Sequence, residues 1–171
     1  HRPGFDPVTE ADRAAELAMR ALVSAERPDD GVTGEEFPET PSASGYRWYF
    51  DPIDGTLHFY LGAGGPYAVM AGLAIDGRYE AALVALPREG WLFEAVRKGG
   101  ALRARPAQAP REPATLERDG NAVMLSDGVP DAVTERLAAR GFAVQRACGG
   151  AVAVAPLLPG AAPHSTHNQL H

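Results

Sequence analysis

Asp51-Pro52-Ile53-Asp54-Gly55-Thr56 is the stretch of this 171-residue chain on which both fold and chemistry turn. It follows Arg47-Trp48-Tyr49-Phe50, so residues 47–51 read as an aromatic-rich strand. A residue before proline is pushed towards extended backbone, so Asp51 is expected to end that strand and Pro52 to start a turn. Asp54, three residues on, can return to the same side. Gly55 lets the backbone approach a ligand closely. Thr56 can offer a hydroxyl and an N–H at a helix start, where an anion is welcome. Two carboxylates beside an anion-binding turn make little electrostatic sense alone. They make sense with divalent cations between them and a phosphate.

Working outward, two more acidic clusters lie upstream: Gly34-Glu35-Glu36, after a short strand at Val32-Thr33, and Thr9-Glu10-Ala11-Asp12. Taken singly, Asp12 reads as a capping residue, the Glu pair as a solvated turn and the Asp-Pro-x-Asp-Gly run as a plain turn. Residues 9–26 read as a helix with Thr9 as N-cap and Asp12 as its acidic partner, and Leu17, Ala18, Ala21, Leu22 and Ala25 fall on one apolar face at helical spacing. Pro28 and Gly31 stop it.

Downstream, apolar runs at 67–75 and 79–86 flank Asp76-Gly77-Arg78, a hairpin signal. A third strand is expected at 91–97, ended by Lys98-Gly99-Gly100, then a Pro-, Ala- and Arg-rich surface connection at 103–119. Strand (121–125), helix (130–140), strand (142–147) and a short apolar helix (150–158) follow. The order predicts a layered α/β architecture, with residues 1–160 as a single domain. Residues 161–171 read as a disordered or non-native tail. Its histidines, His164, His167 and His171, sit in no periodic element that would fix them around a metal.

The composition is that of an ordinary soluble globular protein, with 45% hydrophobic and 22% charged residues. A net charge of -6 gives no basic footprint for nucleic acid, and no apolar run approaches a membrane span. The single cysteine, Cys148, excludes an intrachain disulfide and reads as a small apolar core residue. With no signal-peptide pattern, a cytoplasmic location is expected. The chain opens on His1 and not on Met, so a longer gene product is expected.

In this order and at these separations, Asp-Pro-Val-Thr-Glu-Ala-Asp (6–12), Gly-Glu-Glu (34–36) and Asp-Pro-Ile-Asp-Gly-Thr (51–56) resemble the inositol monophosphatase superfamily. The resemblance is closest to bacterial members acting on histidinol phosphate or inositol phosphates. It extends more weakly through Ala68–Gly77, the Gly99-Gly100-Ala101 turn and Arg146–Gly160. It implies the α+β layered sandwich of the inositol monophosphatase and fructose-1,6-bisphosphatase type. It also implies a Mg²⁺-dependent phosphomonoesterase in which metal-activated water attacks a small polyol or amino-alcohol phosphate in line. Two or three Mg²⁺ per site are implied, with Mn²⁺ as a substitute. Glu35 would bind one metal and orient the attacking water, Asp51 would bridge two, Asp54 would bind the second, and the Ile53 carbonyl would complete a shell. Thr56 would hold the water, with its hydroxyl fixed by Asp12. The phosphate would lie against Asp54 and the N–H groups of Gly55 and Thr56. His58 stands where the family carries a small polar residue, and reads either as a substrate contact or as packing at a helix start.

Two departures shape the expectation. Family members begin with a longer helical segment, whereas only seven residues precede Val8, and they carry a later Trp-Asp-x-Ala-Ala metal motif that is not found after Gly160. The fold is therefore expected as an incomplete version, truncated at both ends. The alternative to an active phosphatase is a non-catalytic member that binds metal or a partner chain. A plain structural fragment with solvated acidic turns is the third reading. A homodimer is expected by analogy with the family.

Overall fold

The computed structural model describes residues 10–55, 67–106, 108–115, 122–126, 129–147 and 164–167. The chain divides into two compact units, His1–Glu112 and Pro113–His171, where one domain over 1–160 was expected. The physical reason is hydrogen bonding: the strands close into two separate ladders.

The first unit opens with helix α1, Glu10–Glu26, followed by β1 (Gly31–Thr33), β2 (Tyr46–Asp54), β3 (Ala68–Ile75), β4 (Arg78–Leu86), β5 (Trp91–Val96), β6 (Gly100–Ala104) and β7 (Glu112–Pro113). These strands lie side by side in sequence order in one seven-stranded sheet. β1 runs parallel to β2, with Val32 opposite Trp48, and β2 to β6 form an antiparallel meander. The β3–β4 turn is the one the Asp-Gly pair predicts: Asp76 (φ 48°) and Gly77 (φ 78°) both adopt the left-handed backbone that such a two-residue turn requires.

Val23 of α1, Val32 of β1 and Phe50 of β2 form a buried cluster, with Met19, Trp48 and Ala71 around them. Each such side chain taken out of water contributes about 1.5–3 kcal/mol before the entropy of ordering is subtracted. The inward face of α1 is not that apolar one. Asp12, Glu16 and Val23 are buried, whereas Leu17 is 52% and Leu22 65% exposed, and Ala18, Ala21 and Ala25 are exposed as well. Residues 12, 16, 19 and 23 also share a helical stripe. The acidic half of that stripe goes inward because it finds polar partners there, which hydropathy does not register.

Two further expectations change. β2 does not stop at Asp51 but runs to Asp54, with the register shifting between the Asp51–Met70 and Asp54–Ala68 pairs. This bulge is how a strand carries Pro52, which has no N–H to give the ladder. The connection expected over 103–119 contains the end of β6 and all of β7. Gly-Ala-Leu-Arg-Ala is a weak strand former, and its pairing with β5 makes it one.

In the second unit, β8 (Ala122–Ser126), α2 (Asp131–Ala138), β9 (Ala143–Ala147) and β10 (His164–His167) form a parallel sheet in the order β10-β8-β9, with Val123, Leu125 and Val129 buried against Val133, Leu137 and Val144. Residues 164–167 thus form a strand where a structureless tail was expected, because parallel pairing with β8 supplies backbone partners that no local pattern announces. The helix expected at 150–158 and Cys148 lie outside the described residues. Among the described residues no helix is long and apolar enough to cross a membrane.

Candidate active site

The site is built where β2 bulges. Phe50, Pro52 and Ile53 are buried there, so the flanking carboxylates Asp51 and Asp54 are carried on rigid backbone. Gly55 follows with φ 87°, a left-handed conformation that an L side chain would strain.

Three elements converge on Asp51. Glu35, Asp54 and Asp12 each act on it as a like charge, and burial adds to their effect. Burial is the larger cause, and together they push the Asp51 carboxyl up from an ordinary 3.8 to about 7. Its Oδ1 is buried without a hydrogen-bond partner among the described residues. Asp12 comes from the first turns of α1 and is only 2% exposed. Glu35 comes from the loop after β1 and is exposed.

That loop is closed at its base. The Val32 N–H donates to Thr40 Oγ1 (2.9 Å), and the Thr40 N–H donates to the Val32 carbonyl (2.8 Å). From α1, Glu16 Oε2 accepts the Glu36 N–H (2.7 Å), and Arg20 donates to Glu16 Oε1 (2.7 Å) and to the Phe37 carbonyl (3.0 Å). Glu16 is fully buried and has no place in the sequence reading. The signal for it was the spacing: it lies one turn after Asp12, on the same stripe.

Of the sequence-predicted residues, the structure therefore brings Asp12, Glu35, Asp51 and Asp54 into one electrostatic neighbourhood, with Ile53 and Gly55 on the adjoining backbone. Thr56 and His58 lie outside the described residues. The donor set is all hard oxygen, which fits Mg²⁺, Mn²⁺ or Ca²⁺ better than Zn²⁺. An orphaned buried carboxylate oxygen held among like charges is what a divalent cation would satisfy. Among the described residues, no three of these groups stand close enough to form a ready cage. Mutual repulsion without a cation favours that separation.

The family model for the inositol monophosphatase family matches residues 2–151. The chain belongs to the inositol monophosphatase family. Among its relatives, a histidinol-phosphatase of Chlorobaculum parvum is 42% identical over 123 residues, covering 71% of this chain and 46% of the relative. A Streptomyces griseus protein named glucose-1-phosphate thymidylyltransferase is 37% identical over 127 residues, covering 68% of this chain and 49% of the relative. In three dimensions, the extragenic suppressor protein suhB from Bartonella henselae superposes with a TM-score of 0.68 at 27% identity, over 88% of this chain and 60% of that one. The fold is thus the α/β type of inositol monophosphatases, as the sequence implied. The chain spans about half the length of the curated relatives it matches.

Proposed function

We propose that the chain carries metal-ligating residues of a Mg²⁺-dependent phosphomonoesterase acting on a small phosphorylated polyol or amino alcohol, histidinol phosphate or an inositol phosphate. The observation that carries this reading is Asp51: half-buried, without a hydrogen-bond partner at Oδ1 among the described residues, and acted on by the charges of Glu35, Asp54 and Asp12. Membership of the family and the similarity to a histidinol-phosphatase support the substrate class.

In this reading Glu35, Asp51, Asp54 and the Ile53 carbonyl hold the cations. When bound, the cations supply positive charge and lower the pKa of a coordinated water. Glu35 and Thr56 orient the attacking water, and Asp12 accepts the Thr56 hydroxyl proton in a hydrogen bond and so fixes that side chain. Gly55, freed of a Cβ where the chain turns, presents its N–H to the phosphate alongside that of Thr56. Catalysis then rests on positioning and charge, which is what phosphoryl transfer chiefly requires.

The test is phosphate release by the chain with and without Mg²⁺, on histidinol phosphate and inositol 1-phosphate. Metal-dependent release that disappears in Asp54→Asn is expected. Release that survives Asp54→Asn overturns the assigned site. A second reading, a non-catalytic member that binds cation without turnover, is favoured by the lack of a ready three-ligand cage among the described residues. Tight Mg²⁺ uptake with no release from either ester selects it.

A further inference from the structure

We propose that Glu16 is a positioning residue that clamps the loop of Glu35 from α1 and thereby sets the site's affinity for its divalent cation. This rests on the reading of Glu35 as a cation ligand.

The clamp lies on both sides of Glu35. On one side, Gly34 lies so close to Glu16 that a Cβ there would overlap the Glu16 carboxylate. On the other, the Glu36 N–H donates to Glu16 Oε2 at 2.7 Å. Arg20 completes it: its Nε donates to Glu16 Oε1 (2.7 Å), its terminal nitrogen donates to the Phe37 carbonyl (3.0 Å), and its guanidinium lies over the Phe37 ring. Both Glu16 oxygens are thus used, and its charge is matched by Arg20. The residue it brackets is exposed, whereas Glu16 itself is fully buried.

A buried acid on a helix has a large desolvation cost, and this one is offset by Arg20 on its own helix and by the amide of one loop. One turn earlier the same helix delivers Asp12 to Asp51. Asp12 and the Glu35 loop are therefore placed by one rigid element, which fixes where two of the site's carboxylates can stand. A cation that had to gather a loose Glu35 would have to offset the ordering of that loop and would bind more weakly.

The experiment titrates Mn²⁺ into the whole chain and reads free Mn²⁺ by electron paramagnetic resonance, with folding checked by circular dichroism. Wild type is compared with Glu16→Ala, Glu16→Gln, Gly34→Ala and Asp30→Ala. Glu16→Ala and Gly34→Ala are expected to weaken Mn²⁺ binding about tenfold or more. Glu16→Gln keeps an oxygen for the Glu36 N–H and is expected to recover part of the loss. Asp30→Ala, which loosens the same unit away from the loop, is expected to bind Mn²⁺ as wild type does. Equal weakening in Asp30→Ala would reduce Glu16 to general stability and overturn the proposal. So would a folded Glu16→Ala that binds within twofold of wild type, together with an unaffected Gly34→Ala. A wild-type chain that takes up no Mn²⁺ overturns the reading of the site as well, which separates the two failures.

Discussion

Asp30 and Asp51 lie in the same unit, one just before β1 and the other inside β2. Asp30 accepts hydrogen bonds from Ser44 Oγ (2.7 Å), Trp48 Nε1 (3.0 Å) and Arg27 Nε (3.2 Å). Burial works to raise its pKa, but these three bonds and the charge of Arg27 outweigh it and hold the carboxyl below its usual range. Asp51 is given the reverse: burial, three like charges and an oxygen with no partner among the described residues. The first carboxylate is matched by the protein itself and ties the 42–48 segment to the end of α1. The second is left for something else to match. In a fold of marginal stability, an acid kept in that condition marks a site more clearly than any turn motif does.

The largest effect should come from breaking the unmatched side. Asp51→Asn is expected to lower metal-dependent phosphate release on the order of 100-fold or more. Without divalent ions the same variant should melt above wild type at neutral pH, since it removes a disfavoured charge. A variant that melts below wild type and keeps its metal response would end the contrast.

Breaking the matched side is next. Asp30→Ala leaves Trp48 and Ser44 without their acceptor and is expected to cost about 2–4 kcal/mol in urea unfolding. A loss under about 0.5 kcal/mol would show that the three bonds do not hold the segment.

The two acids should also respond to pH with opposite signs. Asp51 binds its proton more tightly folded than unfolded, so its contribution is fully present below 3.8 and is lost as pH rises to about 7. The stability difference between Asp51→Asn and wild type, measured without divalent ions, should therefore grow between these values and level off above. Asp30 binds its proton less tightly when folded. Its contribution is full above 3.8 and is lost as pH falls through its lowered folded value, so Asp30→Asn should approach wild type only in strong acid. Parallel curves for the two variants would refute the assignment.

The smallest expected effect sharpens the reading of α1. Leu17→Ser and Leu22→Ser should each change stability by less than about 0.5 kcal/mol, whereas Val23→Ala should cost about 2 kcal/mol. Equal losses at Leu22 and Val23 would restore the apolar face that hydropathy alone predicts.

Much of this was legible before any fold. The hairpin at Asp76-Gly77 follows from backbone chemistry confined to two residues, as do the special backbone at Gly55 and the extended Asp51 before Pro52. The acidic motifs could be read because metal and phosphate chemistry restricts residue types at short spacing. The carboxylates Asp12, Glu35, Asp51 and Asp54 were therefore singled out together, and the structure places the other three where their charges act on Asp51. What tertiary structure decided is which partners distant segments meet. It turned Glu16 inward onto the Glu36 amide, exposed Leu17 and Leu22, gave β6 its strand through β5, and paired residues 164–167 with β8. Those outcomes depend on hydrogen bonds and desolvation between groups far apart in sequence. Local periodicity carries no record of such partners, so a buried acid with a waiting amide and an exposed acid on a solvated helix look alike until the chain has folded.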